Sequence, residues 1–282
     1  MLFSTYKLTD KMFENTHPLI MGILNVTPDS FSDGGNYTGV EAAIRQARAM
    51  IAEGADILDI GGESTRPGSQ PVSAEEQIRR VLPVIGAIRE IAPDISISID
   101  TTLSKVAAAA IEAGACIIND ISAGLDDPAM LPLAVVKDLP IILMHMQGTP
   151  QTMQDQPYYD DVVAEIVCSL RQRIDAALAA GVQPGNILID PGIGFGKRKQ
   201  DNIDLLAHLS QFVEMGYPVL LGTSRKGFMS TICKVNEPRE LATATAVTTA
   251  LGVMAGVRLF RVHDVKANRQ AADLAWAIKQ AR

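Results

Sequence analysis

The sequence predicts an α/β protein built as a single (β/α)8 TIM barrel with a short N-terminal extension. Three observations lead there. Short β-rich runs alternate eight times with Ala-rich amphipathic stretches. Runs such as ILDI and CIIND are apolar on consecutive residues, as strands covered on both faces must be. Parallel neighbours also need crossovers of about a dozen residues or more, and the helical stretches supply them. At 282 residues the chain fits either one barrel or two smaller domains. No Ser/Pro-rich linker or charge block divides it, so the expectation is one domain over 19–282 after an extension over 1–18.

Taken in order, the first strand is LIMGILN, Leu19–Asn25, followed by a long polar loop and a helix near 41–53 that stops at Gly54. Asp56–Ile60 leads to a helix near 75–92, and Ile95–Asp100 to one near 104–113 that stops at Gly114. Cys116–Asp120 precedes a helix near 127–138, and Pro140–His145 precedes the longest, near 158–180, closed by Gly181. Asn186–Asp190, Pro218–Gly222 and Arg258–His263 follow, with helices near 201–214, 239–256 and 265–281. In a barrel, the carboxyl ends of the strands converge on one mouth. Here those ends carry Asn25, Glu63, Asp100, Asn119, His145, Asp190, Ser224 and His263.

Composition narrows the function classes. With 25 Lys+Arg against 32 Asp+Glu the formal net charge is −7, which argues against a general nucleic-acid binder. Cys116, Cys168 and Cys233 form no CxxC pair and are odd in number, so the expectation is buried free thiols in a reducing cytosol. Charged residues interrupt the first twenty positions, against a signal-peptide core. The uncharged run Leu241–Val257 is at the short limit for a membrane span and reads as a buried helix of a soluble protein.

Several motifs carry two readings each. The loop in MGILNVTPDSFSDGG (21–35) reads either as an ordinary strand-to-helix turn with Pro28, Gly34 and Gly35 as turn formers or, being longer than usual α/β connections, as a lid or binding loop in which Asn25 could face Mg²⁺ or an anion. DIGGESTRPG (59–68) offers Thr65 and the forked Arg66, either to an anion or to solvent. Asp100 and Asp190 end apolar runs and are either structural acceptors or ligand anchors; a carboxylate accepting two parallel N–H bonds suits a guanidine-like heterocycle edge. LIDPGIGFGK (188–197) is neither a dinucleotide fingerprint nor a P-loop, since Lys197 and Arg198 occupy the positions those motifs need for other residues. GTSRKGF (222–228) places Ser224 beside Arg225 and Lys226. In RVHD (261–264), Arg261 and His263 share one strand face as a candidate anion pocket. His17, His145 and His208 read as structural or solvated.

Read together, NVTPDSFSDGG, DIGGESTRPG, SID, IINDI, LMHMQGTP, IDPGIGFGK, GTSRK and RVHDV closely resemble the dihydropteroate synthase family, in order over about 19–265. The resemblance implies condensation of 6-hydroxymethyl-7,8-dihydropterin diphosphate with 4-aminobenzoate by an SN1-like path. It also implies Mg²⁺, a cytoplasmic homodimer and sensitivity to sulfonamides. By the same resemblance Asp100, Asn119, Asp190 and Lys226 would bind the pterin. Asn25, Thr65, Arg261 and His263 would hold the diphosphate, with Asn25 on the metal. Phe31, Arg66, Pro67 and Ser224 would form the aminobenzoate site, and Lys226, Arg261 and His263 would act catalytically. Two positions depart from the family pattern: Leu103 stands where Lys is usual, and Ile193 where an aromatic is frequent. A pterin-binding methyltransferase and a non-catalytic pterin-binding paralogue are the competing readings; the former has no need of SRK or Arg-x-His.

Overall fold

A computed structural model describes residues 17–27, 35–64 and 68–282. Eight parallel strands form one sheet: β1 Leu19–Asn25, β2 Ile57–Gly61, β3 Ser96–Asp100, β4 Ile117–Asp120, β5 Ile141–Met144, β6 Ile187–Asp190, β7 Leu220–Leu221 and β8 Leu259–Val262. Their order is β6-β5-β4-β3-β2-β1-β8-β7. A bridge between Ile189 and Val219 joins β6 to the segment entering β7, so the sheet closes on itself as a (β/α)8 barrel.

The helices are α1 Gly35–Ala52, α2 Ala74–Ile91, α3 Ser104–Glu112, α4 Met130–Lys137, α5 Val162–Ala180, α6 Lys199–Ala207, α7 Leu209–Val213, α8 Gly227–Cys233, α9 Ala242–Ala255 and α10 Val265–Gln280. Local chemistry explains their ends. The Ser73 hydroxyl accepts from the Glu76 N–H to start α2, and the Asp161 carboxylate accepts from Val163 and Ala164 to start α5. Gly181 closes α5 at φ 101°, a left-handed cap open to glycine.

Apolar residues divide into two shells. The strands' outward faces and the helices share one large core, with Leu24, Leu58, Ile99, Ile118 and Leu143 against Ile85, Ile88, Ile166 and Phe212. Inside the barrel, Met21, Ile57, Ile117, Ile142, Leu188, Leu220 and Leu259 form a separate plug. Side chains alternate faces along a strand, so stepping two residues toward the carboxyl end stays inside the barrel. That step replaces the apolar plug with Ile23, Asp59, Asn119, Met144, Asp190, Gly222 and Arg261. The barrel is thus sealed at one level and polar at the next.

Four expectations change. The strand expected over 218–222 narrows to Leu220–Leu221, because its flanks follow the barrel closure and the mouth. The helix expected over 201–214 divides at His208, whose Nδ1 bonds the Asp204 carbonyl oxygen at 2.7 Å. The three thiols are free but not buried: Cys168 and Cys233 are exposed on helix surfaces and Cys116 is half-buried. The run Leu241–Val257 buries only one side, since Val247 and Leu251 of α9 face outward, as do Leu274 and Ile278 of α10. No helix among the described residues is long and apolar enough to cross a membrane.

Candidate active site

Strand register brings the predicted polar residues to one level. Asn25, Gly61, Asp100 and Asn119 are successive partners across β1 to β4, and Asp190 is the partner of Met144 on β6 and β5. Above them opens a cavity of about 990 Å³ whose lining includes Asn25, Ser224, Lys226, Arg261 and His263. Asp100, Asn119 and Asp190 do not line its open part; they are buried directly beneath, as its floor.

Arg261 is the centre of that floor. Its Nε donates to Asp59 Oδ2 at 2.6 Å and its Nη2 to Asp100 Oδ2 at 2.5 Å. Asn119 Nδ2 donates to the same Asp59 oxygen at 3.2 Å. Burial pushes the Asp100 carboxyl up, to about 7, with the Arg261 guanidinium opposing the shift. Burial works against the charge on Arg261, but the Asp59 and Asp100 carboxylates outweigh it and hold the guanidinium firmly protonated. Asp59 Oδ1 is buried with no hydrogen-bond partner.

Asp190 sits on the opposite wall. Its Oδ1 accepts the Gly192 N–H at 2.7 Å, and burial raises its pKa to about 6 against that bond and the charges of Lys226, Lys197 and Arg261. Lys226 reaches in from the start of α8. Its Nζ lies 3.9 Å from the centre of the Phe195 ring, and burial lowers its pKa to about 8. The glycine at 194 makes this approach possible, since a Cβ there would stand 2.8 Å from Lys226 Cδ.

At the third wall, Ser224 Oγ accepts the His263 N–H at 3.0 Å and lies 3.0 Å from His263 Nδ1. Residues expected in two subsites, aminobenzoate and diphosphate, therefore share one joint. Arg225 also borders the cavity, but its guanidinium is engaged elsewhere. In the left-handed region at φ 57°, it turns aside into a two-pronged pair with Asp264 at 3.0 and 2.7 Å, tying the β7 and β8 loops together.

Phe31, Thr65, Arg66 and Pro67 lie outside the described residues. Among the other strand-end residues, Glu63 is engaged by Gln77 Nε2 at 2.6 Å, and His145 Nδ1 lies 3.0 Å from Lys197 Nζ. His17 pairs with Asp273 on α10. Sequence reasoning missed Asp59, which lies inside the apolar-looking ILDI. The signal available was its type: a carboxylate within a fully covered strand needs a buried cationic partner. Leu103, the first departure, packs partly buried on the outer core, and Ile193 is buried in that same core.

The described residues contain no group of three His, Cys, Asp or Glu side chains placed to hold a metal. Asn25 Oδ1 stands over Gly61, 3.6 Å from where a Cβ would be, so the glycine leaves the oxygen an open approach.

Residues 21–263 match the family model described as pterin binding enzyme. The chain is 51% identical over 251 residues to the dihydropteroate synthase of Streptococcus pyogenes serotype M3, covering 89% of this chain and 91% of that protein. It is 45% identical to the dihydropteroate synthase of Synechocystis over 92% and 89% of the two chains. A Xanthomonas albilineans dihydropteroate synthase solved with 4-aminobenzoic acid superposes with a TM-score of 0.88 at 45% identity, covering 94% of each chain. The Yersinia pestis dihydropteroate synthase, solved with a sulfonamide drug, gives 0.87 at 41% identity over 94% and 95%. The fold, the ordered motifs and these relatives agree, and the chain belongs to the dihydropteroate synthase family of pterin-binding enzymes.

Proposed function

We propose that this chain joins 6-hydroxymethyl-7,8-dihydropterin diphosphate to 4-aminobenzoate, forming 7,8-dihydropteroate and diphosphate in folate biosynthesis. The observation that carries this reading is convergence at the mouth: the buried acceptors Asp100, Asn119 and Asp190 and the donors Lys226, Arg261 and His263 meet at one cavity. Asp190 accepts from the ring's 2-amino and N3–H groups, an edge that presents two parallel donors to one carboxylate. Asp100 and Asn119 complete the floor, and Lys226 donates to a ring acceptor. The aminobenzoate ligand of a relative supports the second substrate.

The bond to the diphosphate oxygen breaks first. Its electron pair leaves with the diphosphate, and the pterin ring shares the positive charge left on its methylene carbon. The neutral amine of aminobenzoate then attacks that carbon and loses a proton to solvent, so no strong base is needed. Arg261 and His263 face the charge that grows on the leaving group, where preorganised donors act most strongly. Ser224 holds His263 in place and, with Phe31, Arg66 and Pro67, is proposed to frame the aminobenzoate. Thr65 is proposed to join the diphosphate contacts.

The family resemblance implies Mg²⁺. One neutral oxygen, Asn25 Oδ1, over an open glycine fits an ion that keeps its waters and takes phosphate oxygens rather than a carboxylate cage. Bound there, Mg²⁺ would supply charge neutralisation for the diphosphate.

Exposed Val247 and Leu251 on α9 with Leu274 and Ile278 on α10 support the homodimer reading, and the exposed thiols suit a reducing cytoplasm. Leu251→Glu should then sediment as a monomer; a dimer of unchanged stability would place the interface elsewhere. The deciding experiment for the activity is turnover with pterin diphosphate, 4-aminobenzoate and Mg²⁺. Pteroate formation is expected, and its absence from well-folded protein would overturn the reading.

A further inference from the structure

Lys197 closes the IDPGIGFGK segment, which fits no phosphate loop, and the reaction above gives it no task. It is nonetheless buried, 3% exposed. Its Nζ lies 3.0 Å from His145 Nδ1 and donates to the carbonyl oxygens of His145 at 3.3 Å and Phe195 at 2.9 Å. Those three acceptors use all three ammonium hydrogens. A buried ammonium is costly unless it is paired, and none of the three is a carboxylate. Burial lowers its pKa to about 7 against the nearby Asp190 and Asp201 carboxylates, so Lys197 carries its full charge only below neutrality.

The glycines show how closely this is built. Gly192, whose N–H donates to Asp190, has φ 69°. A Cβ there would lie 1.9 Å from the His145 carbonyl oxygen and 3.3 Å from Lys197 Nζ. Gly196 meets the Gln147 carbonyl oxygen in the same way, at 2.2 Å. The loop over 191–197 is thus laid directly on the residues after β5, with the Lys197 ammonium stitched between them.

We propose that Lys197 is a positioning residue for pterin recognition: its Nζ, stitched between this loop and the end of β5 beside the glycine whose N–H holds Asp190, backs that carboxylate and keeps it aimed at the ring. This rests on the reading of Asp190 as the pterin acceptor. Asp190 faces three cations, Lys226 from α8, Arg261 from β8 and Lys197 from its own loop, besides the Gly192 N–H. Lys197 faces Asp190, Lys226 and Asp201 of α6, beside a His145 ring that burial and Lys197 itself keep neutral. Each cation opposes the effect of burial on Asp190. Removing Lys197 therefore raises the Asp190 pKa further, and a protonated carboxyl can no longer accept two N–H bonds. The loss is felt near neutrality and fades as pH rises.

The test is calorimetric binding of 6-hydroxymethyl-7,8-dihydropterin, which lacks titrating phosphates, from pH 5.5 to 8.5, with thermal melts as a folding control. Lys197→Met should weaken binding about tenfold at pH 6.5 and less than about threefold at pH 8.5. Lys197→Arg should stay within about threefold of wild type throughout. Equal weakening at every pH, or none, overturns the proposal. If Lys197→Met does not fold, the coupling is read in reverse by carbon NMR of labelled lysine, assigned by the resonance lost in Lys197→Arg. In Asp190→Asn the Lys197 titration should move down by half a pH unit or more, and an unmoved midpoint overturns the proposal. Asp190→Asn also separates the two readings: if it binds pterin as wild type does, the floor itself has been misread. If it binds poorly while Lys197→Met keeps the wild-type profile, the Lys197 proposal alone fails.

Discussion

Arg261 on β8 and Asp59 on β2 meet inside the barrel, Nε to Oδ2 at 2.6 Å, across the intervening strand β1. The pair sits one level above the apolar plug, and Asp100 takes the guanidinium's other edge. Arg261 therefore lines the cavity with its plane held from below by two carboxylates.

Asp59→Ala should be among the costliest substitutions away from direct substrate contact. It leaves a buried guanidinium with one partner instead of two and frees Asn119. Removing one member of a buried pair costs roughly 3–5 kcal/mol, and the remaining Asp100 contact points to about 3 kcal/mol. Urea unfolding measures it, and a loss below about 1 kcal/mol would show that Asp59 does not hold Arg261.

Lys226→Met should separate stability from function. The methionine keeps an apolar stem against Gly194 and gives up the ammonium over Phe195, removing a charge that burial disfavours. The melting temperature is expected to stay level or rise as turnover drops by about a hundredfold or more, the trade-off typical of a strained active site. Turnover within tenfold of wild type would remove Lys226 from the reaction.

Gly192→Ala and Gly68→Ala make a controlled comparison. Both glycines have positive φ, 69° and 79°, which costs an alanine roughly 1–2 kcal/mol. Around Gly68 no atom of the described residues lies within 4 Å of an added Cβ, whereas at Gly192 it meets a backbone oxygen at 1.9 Å. Gly68→Ala should lose about 1 kcal/mol and Gly192→Ala about 3 kcal/mol or more, as overpacking adds to strain. Equal losses by chemical denaturation would mean the loop over 191–197 can lift from β5.

Asp190 also predicts a pH signature in the ligand-free protein. Its folded pKa, about 6, is above that of an unfolded aspartate, so the folded state binds the extra proton between about pH 4 and 6. Its contribution is fully present below that window and is lost as pH rises through it. Asp190→Asn should remove this component, so the stability difference from wild type should move in the variant's favour from pH 4 to 7. Melts that differ by a constant amount across that range would refute it. Pterin binding has the opposite preference, since it needs the ionised carboxylate and should fade below about pH 6.

The barrel was legible because its evidence is local and repeated: eight apolar runs, the helices between them and the glycine stops after Glu53, Ala113 and Ala180. Asn25, Asp100, Asn119 and Asp190 were legible because strand ends of a closed barrel must converge. Asp59 and Lys197 were not. The first is hidden within an apolar strand and the second stands in a loop that mimics phosphate motifs without being one. Their partners, Arg261 and His145, are 202 and 52 residues away. Arg225 shows the same limit in reverse: beside Ser224 and Lys226 it reads as a third site residue, but a left-handed backbone turns it into Asp264.

By itself, then, the order of residues determined the fold class, the polar ring at the mouth and the family, since periodicity and motif spacing are properties of the chain. Tertiary structure alone decided which charge answers which. Register and barrel closure set those distances, and the energy of a buried charge depends on a partner the local sequence does not contain.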